Sequence, residues 1–226
     1  MFERFQHRSR DSERLDRGEY TLTEYSRWQR EMKYIHAIFG EERALKKTLL
    51  RDIDLNDSPR ISILDVGAGS GGLLIKLGKW IGERRNYLVG AEFDKVAARS
   101  IRDNGIAALN CDAMQLPFAD CSFDYVFCSL FLHHLDDEPA ITLLREMSRV
   151  CSKRIYVIDL DRDPISYYAY KIFGWLVLQQ FTREDGALSI LRSRTPDELR
   201  RLADRSGLKE VKVEHSLVNR LILSGK

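Results

Sequence analysis

Two hydrophobic rhythms divide the chain. Before residue 60, Tyr25, Trp28, Met32, Ile35 and Phe39 recur at steps of three or four, which predicts one apolar stripe on helix in a charge-dense segment. The turn cluster Asn56-Asp57-Ser58-Pro59 closes that segment, so residues 1–58 are expected to be a helical extension and 59–226 the main domain. From Ile61 the texture changes to short apolar runs alternating with amphipathic stretches. Ile61–Val66 predicts a buried strand ending in glycines, followed by a helix through Leu73, Leu74, Leu77 and Trp80. Further strands are expected at 87–91, 106–110, 123–130 and 154–160, with Asp94 capping one intervening helix and residues 138–150 forming another. Thr195-Pro196-Asp197-Glu198 opens a last helix as a capping box with proline at its first position. Two closing strands, 209–214 and 217–223, suggest an antiparallel edge. This alternation predicts an α/β fold: seven strands, mostly parallel, with helices on both faces.

Composition narrows the class. The 226 residues are 44% hydrophobic and 31% charged, which excludes disorder and repeat fibres. The 36 basic and 34 acidic side chains leave a formal charge of +2, so bulk electrostatics offer no reason to bind nucleic acid. Acids are interleaved with Arg4, Arg8, Arg10 and Arg14, which predicts a solvated helical face there. Cys111, Cys121, Cys128 and Cys151 lack metal-site spacing and read as buried small side chains in a reducing compartment. The N-terminus has no apolar signal region, and the most apolar stretch, Ile172–Leu178, is short of the ~20 residues a bilayer span needs. A cytoplasmic protein with no transmembrane segment is the expectation; nothing bears on oligomeric state.

Chemistry concentrates at the strand ends. Asp65-Val66-Gly67-Ala68-Gly69-Ser70-Gly71-Gly72 joins the first strand to a helix, and glycines there admit a sharp turn and a ligand close to the backbone. Gly67, Gly69 and Gly72 also satisfy the dinucleotide pattern G-x-G-x-x-G, which alone is weak. Asp65 separates the two readings: a carboxylate beside a pyrophosphate gains nothing, whereas one beside an ammonium and a sulfonium does. Glu92 ends the second strand and suits the two hydroxyls of a ribose, with Phe93 beside it. Asp112-Ala113-Met114 follows the third strand, where a carboxylate and the next backbone N–H suit an adenine edge.

These segments together resemble the class I S-adenosylmethionine-dependent methyltransferases. Ile63–Gly71 is similar to their first motif and Val89–Asp94 to their ribose-binding strand end. Cys111–Phe118, Ser122-Phe123-Asp124 and Leu144–Val150 resemble the ubiquinone/menaquinone-methyltransferase-like branch. The likeness covers roughly residues 61–160 and departs at Cys151-Ser152-Lys153-Arg154, where that branch carries a Lys-Pro-Gly-Gly-type turn. It implies a Rossmann-like fold and S-adenosylmethionine as cofactor. Asp65, Gly67, Ala68, Gly69 and Gly71 would hold its methionine portion, with Ser129 facing that portion or the acceptor. Glu92 and Phe93 would meet the ribose, and Asp112, Ala113 and Met114 the adenine.

The acceptor side is read from residues at the same sheet edge. His133 and His134, just beyond the fourth strand, are candidates for a base, with a packing role as the alternative. Asp159 and Asp161 suit either an acceptor hydroxyl or a helix cap. The aromatic insertion (162–194), with Tyr167, Tyr168 and Trp175, suits either core packing or, together with Trp28, the enclosure of a flat apolar molecule. The expected activity is methyl transfer to a hydroxyl or ring carbon of a lipophilic aromatic, polyketide- or quinone-like small molecule. RNA or protein methylation, or a non-catalytic dehydrogenase-like module, are the alternatives. No metal is expected, since the sequence shows no carboxylate-plus-Asn cluster.

Overall fold

The structure, a computed structural model, describes residues 3–38, 40–53, 60–82, 86–216 and 219–226. The expected turn at Asn56–Pro59, the boundary at 58/59, Phe39 and the first two residues of the expected 217–223 strand lie outside the described residues. Among the described residues seven strands form one sheet in the order β3-β2-β1-β4-β5-β7-β6. They are β1 (Ile61–Val66), β2 (Asn86–Glu92), β3 (Ala107–Asn110), β4 (Phe123–Ser129), β5 (Cys151–Leu160), β6 (Lys212–Ser216) and β7 (Arg220–Gly225). Neighbours are parallel from β3 to β5, and β7 runs antiparallel to both β5 and β6. The last strand thus inserts between β5 and β6 instead of extending the edge. Its fully buried residues explain why: Leu221, Ile222 and Leu223 need helices on both faces, which an edge strand lacks.

Each face of the sheet carries its own core. On one side α6 (Asp137–Val150) and α9 (Pro196–Ser206) contribute Leu143, Leu144, Met147, Leu199 and Leu202. On the other, α4 (Gly72–Ile81) and α5 (Lys95–Asp103) contribute Leu74, Leu77 and Ile101. Leu45 and Leu49, from α2 (Glu41–Lys47) and α3 (Leu49–Asp52), lie in that same second core. Burying each such leucine stabilises by roughly 1.5–3 kcal/mol. Helix starts follow the local chemistry: Asp94 accepts from the Ala97 N–H at 2.8 Å, and Thr195 with Glu198 completes the capping box.

Three local departures from the sequence reading have physical causes. Cys151–Arg154 begins β5 directly after α6, with Cys151 paired to Phe123, so no separate turn exists there. The N-terminal arginines do not lie on a solvated helix. Residues 6–21 form turns and irregular chain ahead of α1 (Leu22–Ile38), because Arg4 and Arg8 find acceptors on the domain itself and Arg14 pairs with Glu24 of α1 and with Glu184. Of the cysteines only Cys128 is buried; Cys111 and Cys151 are half-buried and Cys121 is exposed in a left-handed turn.

The aromatic insertion forms α7 (Pro164–Val177) and α8 (Gln180–Arg192). They close on each other where the Tyr170 hydroxyl donates to the Thr182 carbonyl at 2.9 Å. Gly186 is required there, since a Cβ would lie 2.0 Å from that hydroxyl oxygen. Phe5 joins Tyr167, Tyr170, Ala187 and Ile190 in a third core, so the N-terminal segment is tied to the insertion. Among the described residues, no helix is long and apolar enough to cross a membrane.

Candidate active site

β1 and β4 are parallel neighbours whose onward connections run to opposite sides of the sheet, β1 to β2 and β4 to β5, and the crevice beyond their carboxyl ends is where open α/β sheets take ligands. Three left-handed glycines line its floor: Gly67 (φ +71°), Gly69 (φ +54°) and Gly71 (φ +79°). Only glycine holds such angles without strain, so the bend between β1 and α4 is fixed by composition. A Cβ on Gly69 would meet nothing within 4 Å, so the loop opens onto free space there. A Cβ on Gly67 would stand 3.0 Å from the Phe131 ring, which packs against the loop from the β4 side. Ala68 lies under the bend, close to Gly90.

Glu92 organises this loop. Its Oε2 accepts the Gly69 N–H at 2.7 Å and its Oε1 accepts the Asp94 N–H at 2.9 Å. Each carboxylate oxygen has a second lone pair, so capacity for two hydroxyl donors remains. Asp65, only 2% exposed, is turned inward beneath the loop. Burial pushes its carboxyl well above the ordinary range, and the nearby Glu92 and Glu41 push it further. The Ser129 Oγ is buried at the end of β4 with no hydrogen-bond partner among the described residues. Leu130 then adopts a left-handed conformation (φ +50°) that costs about 1–2 kcal/mol and throws the following loop across the crevice.

The wall beyond β3 is held by the expected Asp112 and by two side chains that the sequence reading did not assign, Glu146 and Arg149. Asp112 Oδ1 accepts the Met114 N–H at 2.8 Å, forming a tight turn with Asp112 exposed and Ala113 and Met114 half-buried. Arg149 on α6 donates to the Leu116 and Phe118 carbonyls at 3.0 and 2.8 Å and to Glu146, whose Oε2 accepts the Leu116 N–H. One guanidinium thereby sets the course of 112–120. The sequence signal was the Glu146–Arg149 spacing of three on one helix face. Phe93 stands 78% exposed at the rim.

The two histidines differ. His133 is 4% exposed, and Asp159 accepts from its backbone N–H at 2.9 Å and pairs with its Nδ1 at 2.6 Å. Burial alone would raise the Asp159 carboxyl, but His133 and two backbone N–H groups hold it below the ordinary range. An ionised Asp159 accepts, so Nδ1 carries a hydrogen, and in the neutral imidazole the lone pair lies on Nε2. His134 is half-buried, with its Nδ1 3.5 Å from Asp16. Asp159 therefore faces His133, and Asp161 hydrogen-bonds His215 Nε2 at 2.8 Å; the cap of α7 is Asp163, which accepts from the Ser166 N–H.

The expected acceptor-lining aromatics are spread over two environments. Trp28 is half-buried and stacks on Tyr25, which stacks on Tyr20. Tyr167 is buried edge-on against Phe5, and Tyr168 packs beside both. Trp175 is 73% exposed in a row with Ile172 and Leu176. Glu13, absent from the sequence reading, is buried next to His133 and His134. No spacing pattern could reveal it, since about 120 residues separate it from the histidines.

Comparison with known proteins agrees with this geometry. Residues 63–154 match the family described as a methyltransferase domain. A demethylmenaquinone methyltransferase of Staphylococcus saprophyticus is 26% identical over 193 residues, covering 77% of this chain and 81% of that protein. One from Corynebacterium glutamicum is 33% identical over 149 residues, 64% of this chain and 61% of the relative. The crystal structure of a SAM-dependent methyltransferase from Aquifex aeolicus superposes with a TM-score of 0.58 at 18% identity, covering 85% of this chain and 96% of that one, and so shares the fold.

Proposed function

Because the chain is a class I S-adenosylmethionine-dependent methyltransferase, we propose that it methylates a hydroxyl or ring carbon of a lipophilic, quinone-like aromatic small molecule. One observation carries the reading: a buried Asp65 flanked by Glu92 and Glu41 beneath an open glycine loop. Three acids converging there suit a donor that brings positive charge and disfavour a diphosphate.

In this reading the Gly67–Gly71 bend receives the methionine portion, with Asp65 opposite its ammonium group. The unpartnered Ser129 Oγ provides a hydrogen bond on the same side. Glu92 accepts the ribose hydroxyls with its remaining lone pairs, Phe93 covers that rim, and Asp112, Ala113 and Met114 border the adenine. The cofactor supplies an electrophilic methyl group on a sulfonium. The chain's own contribution is to align the acceptor with that carbon at ~3–3.5 Å and to keep water out.

His133 is the proposed base. Asp159 holds its ring in the tautomer whose Nε2 can take a proton from an acceptor hydroxyl or an acidic ring position. Trp28 from α1 and Tyr168 and Trp175 from α7 are the proposed apolar cover for the acceptor. Relatives named as demethylmenaquinone methyltransferases support the quinone-like class. The paired Arg4, Arg8 and Arg14 weigh against a phosphate-rich acceptor, since their guanidinium groups already bind protein acceptors.

The test is transfer of a radiolabelled methyl group from S-adenosylmethionine into a cell extract, followed by fractionation. Label in the lipid-soluble quinone fraction is expected. Label confined to RNA or protein would overturn the acceptor class. His133→Ala should lower turnover far more than donor affinity, and equal rates in both proteins would remove the base.

A further inference from the structure

We propose that Glu13, His133 and His134 form a binding site for one first-row divalent transition ion of zinc type. One donor atom from each of the three lies within 4.8 Å of the others, with Glu13 and His133 buried and His134 half-buried. Two imidazoles and a carboxylate suit Zn²⁺, Co²⁺ or Fe²⁺, whereas Mg²⁺ and Ca²⁺ prefer oxygen alone. Donor atoms around a tetrahedral ion with bonds of ~2.0–2.1 Å stand about 3.3 Å apart, so the set closes by pairwise shifts of at most about 1.5 Å. Side-chain rotation covers that distance.

The surroundings are those of ligands already oriented. Asp159 takes Nδ1 of His133 at 2.6 Å and leaves Nε2 as its free donor, the carboxylate–histidine pairing that supports metal-bound imidazoles. Asp16 stands toward His134 in a similar way, 3.5 Å from Nδ1. The Ser189 hydroxyl donates to Glu13 Oε1 at 2.8 Å and steadies that carboxylate. Among the described residues two cations border the cluster: Arg192 sits closer to Asp16 (2.7 Å) than to Glu13 (3.6 Å), and Arg8 donates to the His133 backbone carbonyl at 3.0 Å, away from the ring. Three carboxylates, Glu13, Asp16 and Asp159, therefore surround the two imidazoles and compensate an added dication. Three protein ligands leave a fourth position for water or a small oxygen donor. Such an ion would pin the N-terminal segment to the loop after β4.

The test is titration of metal-free protein with Co²⁺, read by its visible absorption, then displacement by Zn²⁺. One Co²⁺ per chain with the intense bands of a four-coordinate ion is expected. Glu13→Gln should weaken binding by at least tenfold, and Asp159→Asn, which leaves all three ligands in place, by about 10–100-fold. Absence of those bands, or Glu13→Gln binding as the parent does, would overturn the site. If Glu13→Gln does not fold by circular dichroism, His134→Ala gives the same readout from a half-buried position. Neither methyl donor nor acceptor enters the measurement; a bound ion would occupy the Nε2 lone pair of His133, so a positive result withdraws the base role of that histidine and leaves the donor site at the glycine loop unaffected.

Discussion

Replacing Asp159 with Asn alters one group and leaves its volume almost unchanged. In the native protein the carboxylate accepts from the His133 backbone N–H and pairs with Nδ1, and both partners are buried. An amide can keep the first bond through its oxygen. Its NH₂ then faces Nδ1, so the ring must present a lone pair there and carry its hydrogen on Nε2. In that tautomer the imidazole cannot take a proton from the acceptor. General-base contributions are worth about 10²–10⁴-fold, so kcat should fall by that factor, equivalent to about 2.7–5.4 kcal/mol at 1.36 kcal/mol per decade. Donor affinity should stay within a few-fold, because Asp65 and Glu92 are untouched.

Stability provides a second reading of the same substitution. Losing a hydrogen bond to a charged group costs about 1.5–3 kcal/mol, which for a chain of this size lowers Tm by about 3–12 °C. The pH sign follows from the depressed Asp159 carboxyl. Its stabilisation is fully present above the ordinary carboxylate range and is lost as pH falls through the lower folded value, so the Tm gap between parent and Asp159→Asn should narrow in acid. The assay is initial-rate methyl transfer beside thermal unfolding at several pH values. A variant with undiminished kcat but lowered Tm would show that Asp159 only packs the loop.

Three other outcomes follow from the site. Gly69→Val puts a β-branched residue at φ +54° in the open part of the glycine loop; calorimetry should show donor affinity reduced by at least a hundredfold, and unchanged affinity would remove the loop from the site. Asp65 is raised by burial, and a cationic donor favours its ionised form, so binding should release a fraction of a proton. Titrations in buffers of different ionisation heat would detect this release, and identical heats would refute it. Arg149→Ala removes the clamp on 112–120 and should raise the donor Kd about tenfold, with Tm lowered; a shift in Tm alone would confine Arg149 to a packing role.

Much of this protein was legible before folding. The β1 run, the glycine bend, the Asp94 cap and the Thr195–Glu198 box are local, and their conformations follow from residues within a few positions of one another. The short continuous apolar runs and the amphipathic stretches between them likewise placed the strands and helices of the sheet region, because burial on two faces demands continuous apolar runs. Tertiary structure decided the rest. The insertion of β7 between β5 and β6 depends on which edge can be covered, and no local pattern encodes that. Irregular chain over residues 6–21 replaced the expected solvated helical face there, while the apolar stripe after it formed α1; Arg8 found the His133 and Leu135 carbonyls more than a hundred residues away. Asp159 became the partner of His133, Tyr167 became core against Phe5, and Glu13 arrived beside two histidines by the same cause. Contacts between segments distant along the chain form only when the whole core closes, and burial then gives each titratable group a neighbour that its position in the sequence does not disclose.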